Sequence, residues 1–84
     1  MALDELAGLK NLGPKSATMM QAAGIHSAEQ IRRLGSVGTY LLVQQKHGPT
    51  SLNFLWALEG FIRDIDWREL SQADKAELQK DLGD

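Results

Sequence analysis

The sequence predicts an all-α fold, a compact bundle of five or six short helices with a helix-hairpin-helix-like motif in its first half. Three observations predict it. Helix start and stop signals built from Ser, Pro and Gly punctuate the chain at short, regular intervals. Between them, apolar residues recur at the three- and four-residue spacing of one helix face. Nothing alternates with period two over a useful length, so no sheet is expected. With 84 residues the chain is read as a single domain, 1–84. A domain of this size buries only about 60–65% of its unfolded surface, so each large apolar side chain counts.

A short first helix is expected over residues 3–10. Gly13-Pro14 opens the next; proline at the first helical position loses no hydrogen bond and is preset in φ. That helix carries Ala17, Met19, Met20 and Ala23, and Gly24 ends it as a left-handed residue. Ser27 caps the following helix, and Gln30, three residues on, completes a capping box. Ala28, Ile31 and Leu34 share a face, and Gly35 stops the helix. Ser36 caps the next helix, with Val37, Tyr40, Leu41 and Gln44 on one side, broken by His47-Gly48-Pro49.

Thr50 or Ser51 caps the longest helix. Leu52, Leu55, Trp56, Glu59 and Ile62 follow the helical rhythm with Phe54, Leu58, Phe61 and Ile65 beside them. So wide an apolar face predicts the central, buried helix, with Trp56 in the core. Gly60 inside it costs about 1 kcal/mol relative to alanine, which predicts a close helix crossing there. Ser71 and Asp74 cap a last helix through Leu78 and Leu82, ended by Gly83.

Composition limits function. The chain has no cysteine, so it has neither a disulfide framework nor a thiolate metal site. Its acidic start has no secretory pattern, and its apolar runs fall far short of the roughly 20 residues that span a bilayer. A cytoplasmic protein without membrane contact is expected. The net charge of −2 argues against gripping nucleic acid by bulk charge. The charge is unevenly spread: residues 1–48 carry +2 and residues 49–84 carry −4. An anionic partner therefore fits only the first half.

That half holds Leu9-Lys10-Asn11-Leu12-Gly13-Pro14-Lys15-Ser16-Ala17, which resembles a helix-hairpin-helix motif. Gly13 lets a backbone approach closely, and the N–H groups at the following helix start, Ser16 among them, carry the positive end of the dipole. Lys15 adds a charge to the same anion. Such turns usually carry two glycines separated by one residue. Asn11 stands in the first place, and asparagine tolerates left-handed φ. The alternative reading is a plain packing corner.

The resemblance extends along the chain. Asn11 to Ser16, Ala23-Gly24-Ile25-His26, Leu34-Gly35, Pro49 with Ser51-Leu52-Asn53, and Trp56-Ala57-Leu58-Glu59-Gly60 together resemble the C-terminal domain of the TfoX/Sxy competence-regulator family. The resemblance implies a bacterial protein linked to competence for DNA uptake and to transcriptional regulation. In full-length members this domain follows an N-terminal α/β domain, of which this chain carries no pattern. It is either a stand-alone member or a piece of a longer protein.

Other signals have plain readings. Arg32-Arg33 ends a short helix, where cations complement the dipole; a second phosphate grip beside Lys15 is the sharper alternative. His26 and His47 read as turn and helix-end residues, too far apart in sequence for a ligand pair. Asp64, Asp66 and Glu69 lack the calcium-loop spacing and read as a solvated helix end. Trp56 and Trp67 read as packing, as do Met19 and Met20. With no nucleophile–base pair and no nucleotide loop, no enzyme, metal, cofactor or small-molecule substrate is expected. Two functions stand side by side. One is a DNA-associated regulatory module contacting backbone phosphates through Gly13, Lys15, Ser16, Arg32 and Arg33. The other is a protein-interaction module working with a separate transcriptional regulator, without direct DNA contact.

Overall fold

Each helix of the protein begins and ends on a chemical signal that the chain carries locally. The computed structural model describes residues 6–83. Among them are four α-helices, α1 (Pro14–Ala22), α2 (Ala28–Lys46), α3 (Leu52–Arg63) and α4 (Gln72–Asp81), with a 3₁₀ turn at Trp67–Glu69 between α3 and α4. No strand occurs among the described residues.

Four is the count of complete α-helices among the described residues, for two reasons. Part of the expected first helix, residues 3–5, lies outside the described residues. Of the rest, Leu6 and Ala7 are helical, and residues 8–11 already form a turn rather than running helical to Lys10. Second, the two helices expected around Gly35 are both present, separated by the non-helical backbone of Gly35, and are counted together as α2 because they meet there without a loop. Gly35 sits at φ 80 inside α2, a conformation glycine adopts without a Cβ penalty. The stop signal is real, but the chain resumes its helix at once.

Gly24, at φ +86, closes α1 as expected: the N–H of Ile25 donates to the carbonyl of Met20 and that of Gly24 to Gln21. Ser27 caps α2 by accepting from the N–H of Gln30. The Gln30 side chain reaches past the cap and accepts from the N–H of His26 at 2.7 Å. Asp64, at φ 59, ends α3 in the left-handed conformation without being glycine. Ser71 and Asp74 form the expected capping box at the start of α4.

α3 is the central element. Its residues 54–58, Gly60 and Phe61 are all buried, and it packs chiefly against α2 and the 3₁₀ turn. Leu6, Met20, Ile25, Ile31, Leu55 and Leu58 are fully buried around it. Two large apolar residues of the expected helix faces stand outside the core. Leu34 and Leu41 are each 42% exposed. The part of α2 after Gly35 buries Ser36, Thr39, Tyr40 and Val43, a face turned by one position from the one expected. Trp56 is buried as expected, and the Lys75 ammonium lies 5.7 Å from its ring and 5.9 Å from that of Trp67.

Candidate anion-binding groove

The turn before α1 is held in place by Asn11. Its backbone is left-handed, at φ 70, as its place in the turn requires. Its side chain points inward rather than toward a ligand. The Asn11 amide donates to the carbonyl of Ile65 at 2.7 Å, and its oxygen accepts from the backbone N–H of Trp67 at 3.2 Å. One side chain thus ties the turn to the segment after α3.

This clamp accounts for Gly60. A Cβ at that position would lie 2.6 Å from the Asn11 amide nitrogen, 2.9 Å from the Ile65 carbonyl oxygen and 3.1 Å from the Trp67 Cα. The close approach expected at Gly60 exists, but it comes from the Asn11 side chain and the chain segment after α3, not from a crossing helix.

Beside the clamp runs a groove of about 540 Å³. The start of α1 contributes Lys15 and Ser16. The 47–51 segment and the start of α3 contribute His47, Thr50, Ser51 and Asn53. Phe54, Ala57 and Trp67 supply apolar wall, and no carboxylate lines it. Neither α1 nor α3 has an acidic residue in its first turn, and neither N-cap uses a side chain to satisfy the exposed N–H groups. Gly13 caps α1 with extended backbone and Pro14 follows it. Unsatisfied N–H groups and the positive dipole end at each start favour an anion. The 47–51 segment is fixed by Tyr40, whose hydroxyl donates to the Thr50 carbonyl at 2.8 Å.

The sequence-predicted residues divide. Lys15, which is exposed, and Ser16 line this groove, and Gly13 is the cap of the helix that carries them. Arg32 and Arg33 do not line it. The Arg32 guanidinium lies 4.8 Å over the Phe61 ring, and Arg33 pairs with Glu29 at 3.7 Å on an exposed helix turn. His47, Ser51 and Asn53 are the groove residues that sequence reasoning missed. The available signal was a helix start after Gly48-Pro49 with no acid in its first turn. Among the described residues no group of His, Asp or Glu side chains has the arrangement of a metal site, and no helix is long and apolar enough to cross a membrane.

The solved structure of an uncharacterized protein from Listeria monocytogenes, in a triclinic crystal form, has the same fold, with a TM-score of 0.81. The two sequences are 31% identical over 89% of this chain and 85% of the other. No curated protein matches the chain. The family model of the TfoX C-terminal domain matches residues 2–82. Nearly every residue that builds the helices, the Asn11 clamp and the groove falls inside that match, and the chain belongs to the TfoX C-terminal domain family.

Proposed function

We propose that the protein is a non-enzymatic, DNA-associated regulatory module of the competence-regulation type, which contacts nucleic-acid backbone through the groove between α1 and α3. The observation that carries this reading is the acid-free groove onto which two uncapped helix starts open, with Lys15 at its edge. Phosphate oxygens suit such a place: backbone N–H groups supply donors, and Lys15 supplies charge. Family membership gives the regulatory setting. The helix-hairpin-helix-like turn contributes Gly13 and Lys15, while the side chain of Asn11, also at the groove, is engaged as a clamp. Contacts of this kind position a protein on DNA without reading sequence.

Lys15 distinguishes the reading from a packing corner. In the first turn of α1 an ammonium meets the unfavourable end of the dipole, so folding alone does not select lysine there. Duplex DNA affinity is measured against salt for the wild type, Lys15→Ala and Lys15→Glu. Each phosphate contact contributes about −0.9 to the slope of log affinity against log salt. Lys15→Ala lowers the slope's magnitude by about one, and Lys15→Glu abolishes binding, with the melting temperature nearly unchanged in both. Absence of binding at low salt, or binding that survives Lys15→Glu, makes the hairpin a packing corner and the molecule a protein-interaction module working with a separate regulator.

A further inference from the structure

A second groove, of about 490 Å³, shares no lining residue with the first. It lies between the kinked part of α2, the end of α3 and α4, with Leu34, Ile62 and Leu78 among its lining. Four carboxylates stand along it against one cation, Arg63. That cation is already engaged, with Glu59 through its Nε and with Asp74 at 3.2 Å. The Ser36 hydroxyl donates to Glu59 at 2.6 Å and holds the same network to the kink.

Two acids remain, Glu77 and Asp81, with no ion pair among the described residues. They are four residues apart on α4, a spacing at which like charges repel. Asp81 also stands in the last turn, at the negative end of the helix dipole. Helix stability selects against both placements. Beside them Leu34 is 42% exposed at the kink and lies over Gly38, with a 3.5 Å approach to the place of a Cβ there. Leu41, equally exposed, follows seven residues further along α2, outside the groove's lining.

We infer that this groove docks a basic amphipathic helix of a partner protein. An apolar stripe at three- and four-residue spacing enters against Leu34 and Ile62, over the buried Leu78 at the groove floor, as helices enter grooves elsewhere. Lysine or arginine flanking that stripe meets Glu77 and Asp81 and relieves the repulsion between them. The charge of the groove selects the occupant: an anionic helix or a nucleic acid is repelled from a rim of carboxylates. The inference uses no residue of the first groove and stands or falls apart from DNA binding.

The test uses a synthetic leucine–lysine peptide of about 18 residues, long enough for about five helical turns, with its leucines on one face. A scrambled peptide of the same composition is the control. Backbone amide NMR shifts of the full chain are followed during titration. The expected result is saturable one-to-one binding that moves signals around Leu34, Ile62 and Leu78. In the double variant Glu77→Lys/Asp81→Lys, affinity falls at least about tenfold, the scale on which charge reversal in an interface acts. Both residues are exposed, so circular dichroism shows the fold retained. Equal binding of the scrambled peptide, shifts that map to another surface, or wild-type affinity in the double variant overturns the inference. So does a dimer in sedimentation that the double variant abolishes, because it assigns the groove to a second copy of this chain.

Discussion

Asn11 and Gly60 show how much one pair of residues fixes. The Asn11 amide and oxygen are both used, across 54 and 56 residues of sequence. Gly60 leaves the space in which they do so. In an isolated helix Gly60→Ala would be favourable by about 1 kcal/mol. Here the added Cβ meets a hydrogen-bonded amide and a backbone carbonyl, and overpacking of this kind costs about 1–3 kcal/mol. Gly60→Ala should therefore destabilise in denaturant melts. Asn11→Ala removes one of the clashing groups along with both hydrogen bonds. The double variant should cost less than the two single variants added together, because the same contact is lost once. Additive costs would mean that Gly60 is required only by the backbone at Ile65 and Trp67.

At the scale of the element, each helix is delimited by local hydrogen bonds, and those on carboxylates respond to acid. Asp66 opens the 3₁₀ turn. Hydrogen bonds from the Arg68 guanidinium and the Arg68 backbone N–H draw its carboxyl from 3.8 down to about 2. Asp74, capping α4, is lowered in the same direction by its bonds with Ser71 and then by the charge of Arg63. A carboxyl whose folded pKa is depressed contributes stability above its unfolded pKa and loses that stability as pH falls through the folded value. Melting temperature should therefore drop as pH falls from about 4 toward 2. Asp66→Asn should flatten part of that acid limb and lower stability at neutral pH by the same amount, a small one since the pair is exposed and screened. An acid limb identical in the variant would show that the Asp66–Arg68 bonds do not persist in solution.

The whole molecule is a thin core organised on α3, with a radius of gyration of 11.7 Å. Trp56 joins that core to α4 by lying beneath Lys75. Truncating a buried aromatic costs about 3–5 kcal/mol, a large share of the roughly 5–15 kcal/mol that holds a domain folded. Trp56→Ala should lower the melting temperature sharply and loosen α4, seen as faster amide exchange over Gln72–Asp81 than over α3. A small shift would place Trp56 at the surface and free it for a binding role. At this scale the two grooves differ in chemistry. One is free of carboxylates and rimmed by helix starts, and the other is lined by acids. Lys15 of the first groove comes from the basic half of the sequence, and the four acids of the second come from the acidic half, although both grooves draw their walls from both halves.

The sequence by itself determined the all-α class, the central helix and most helix boundaries. Pro14, Gly24, Ser27 and the Ser71–Asp74 pair act through hydrogen bonds that close within a few residues. Their effect is therefore legible in the local pattern. Lys15 and Ser16 were legible as candidates for the same reason, as residues of a helix start. Only the tertiary structure decided what faces what. The tertiary structure left Leu34 and Leu41 exposed on either side of Gly35, although each shares a helix face with apolar neighbours. It gave Asn11 a structural use and Gly60 its reason, through partners far along the chain. It joined His47, Ser51 and Asn53 to Lys15, and set Arg32 over Phe61 instead. Such pairings arise when helices are packed and their backbone groups must find partners. Residue type constrains them only weakly, whereas the close packing of a small core leaves each few alternatives.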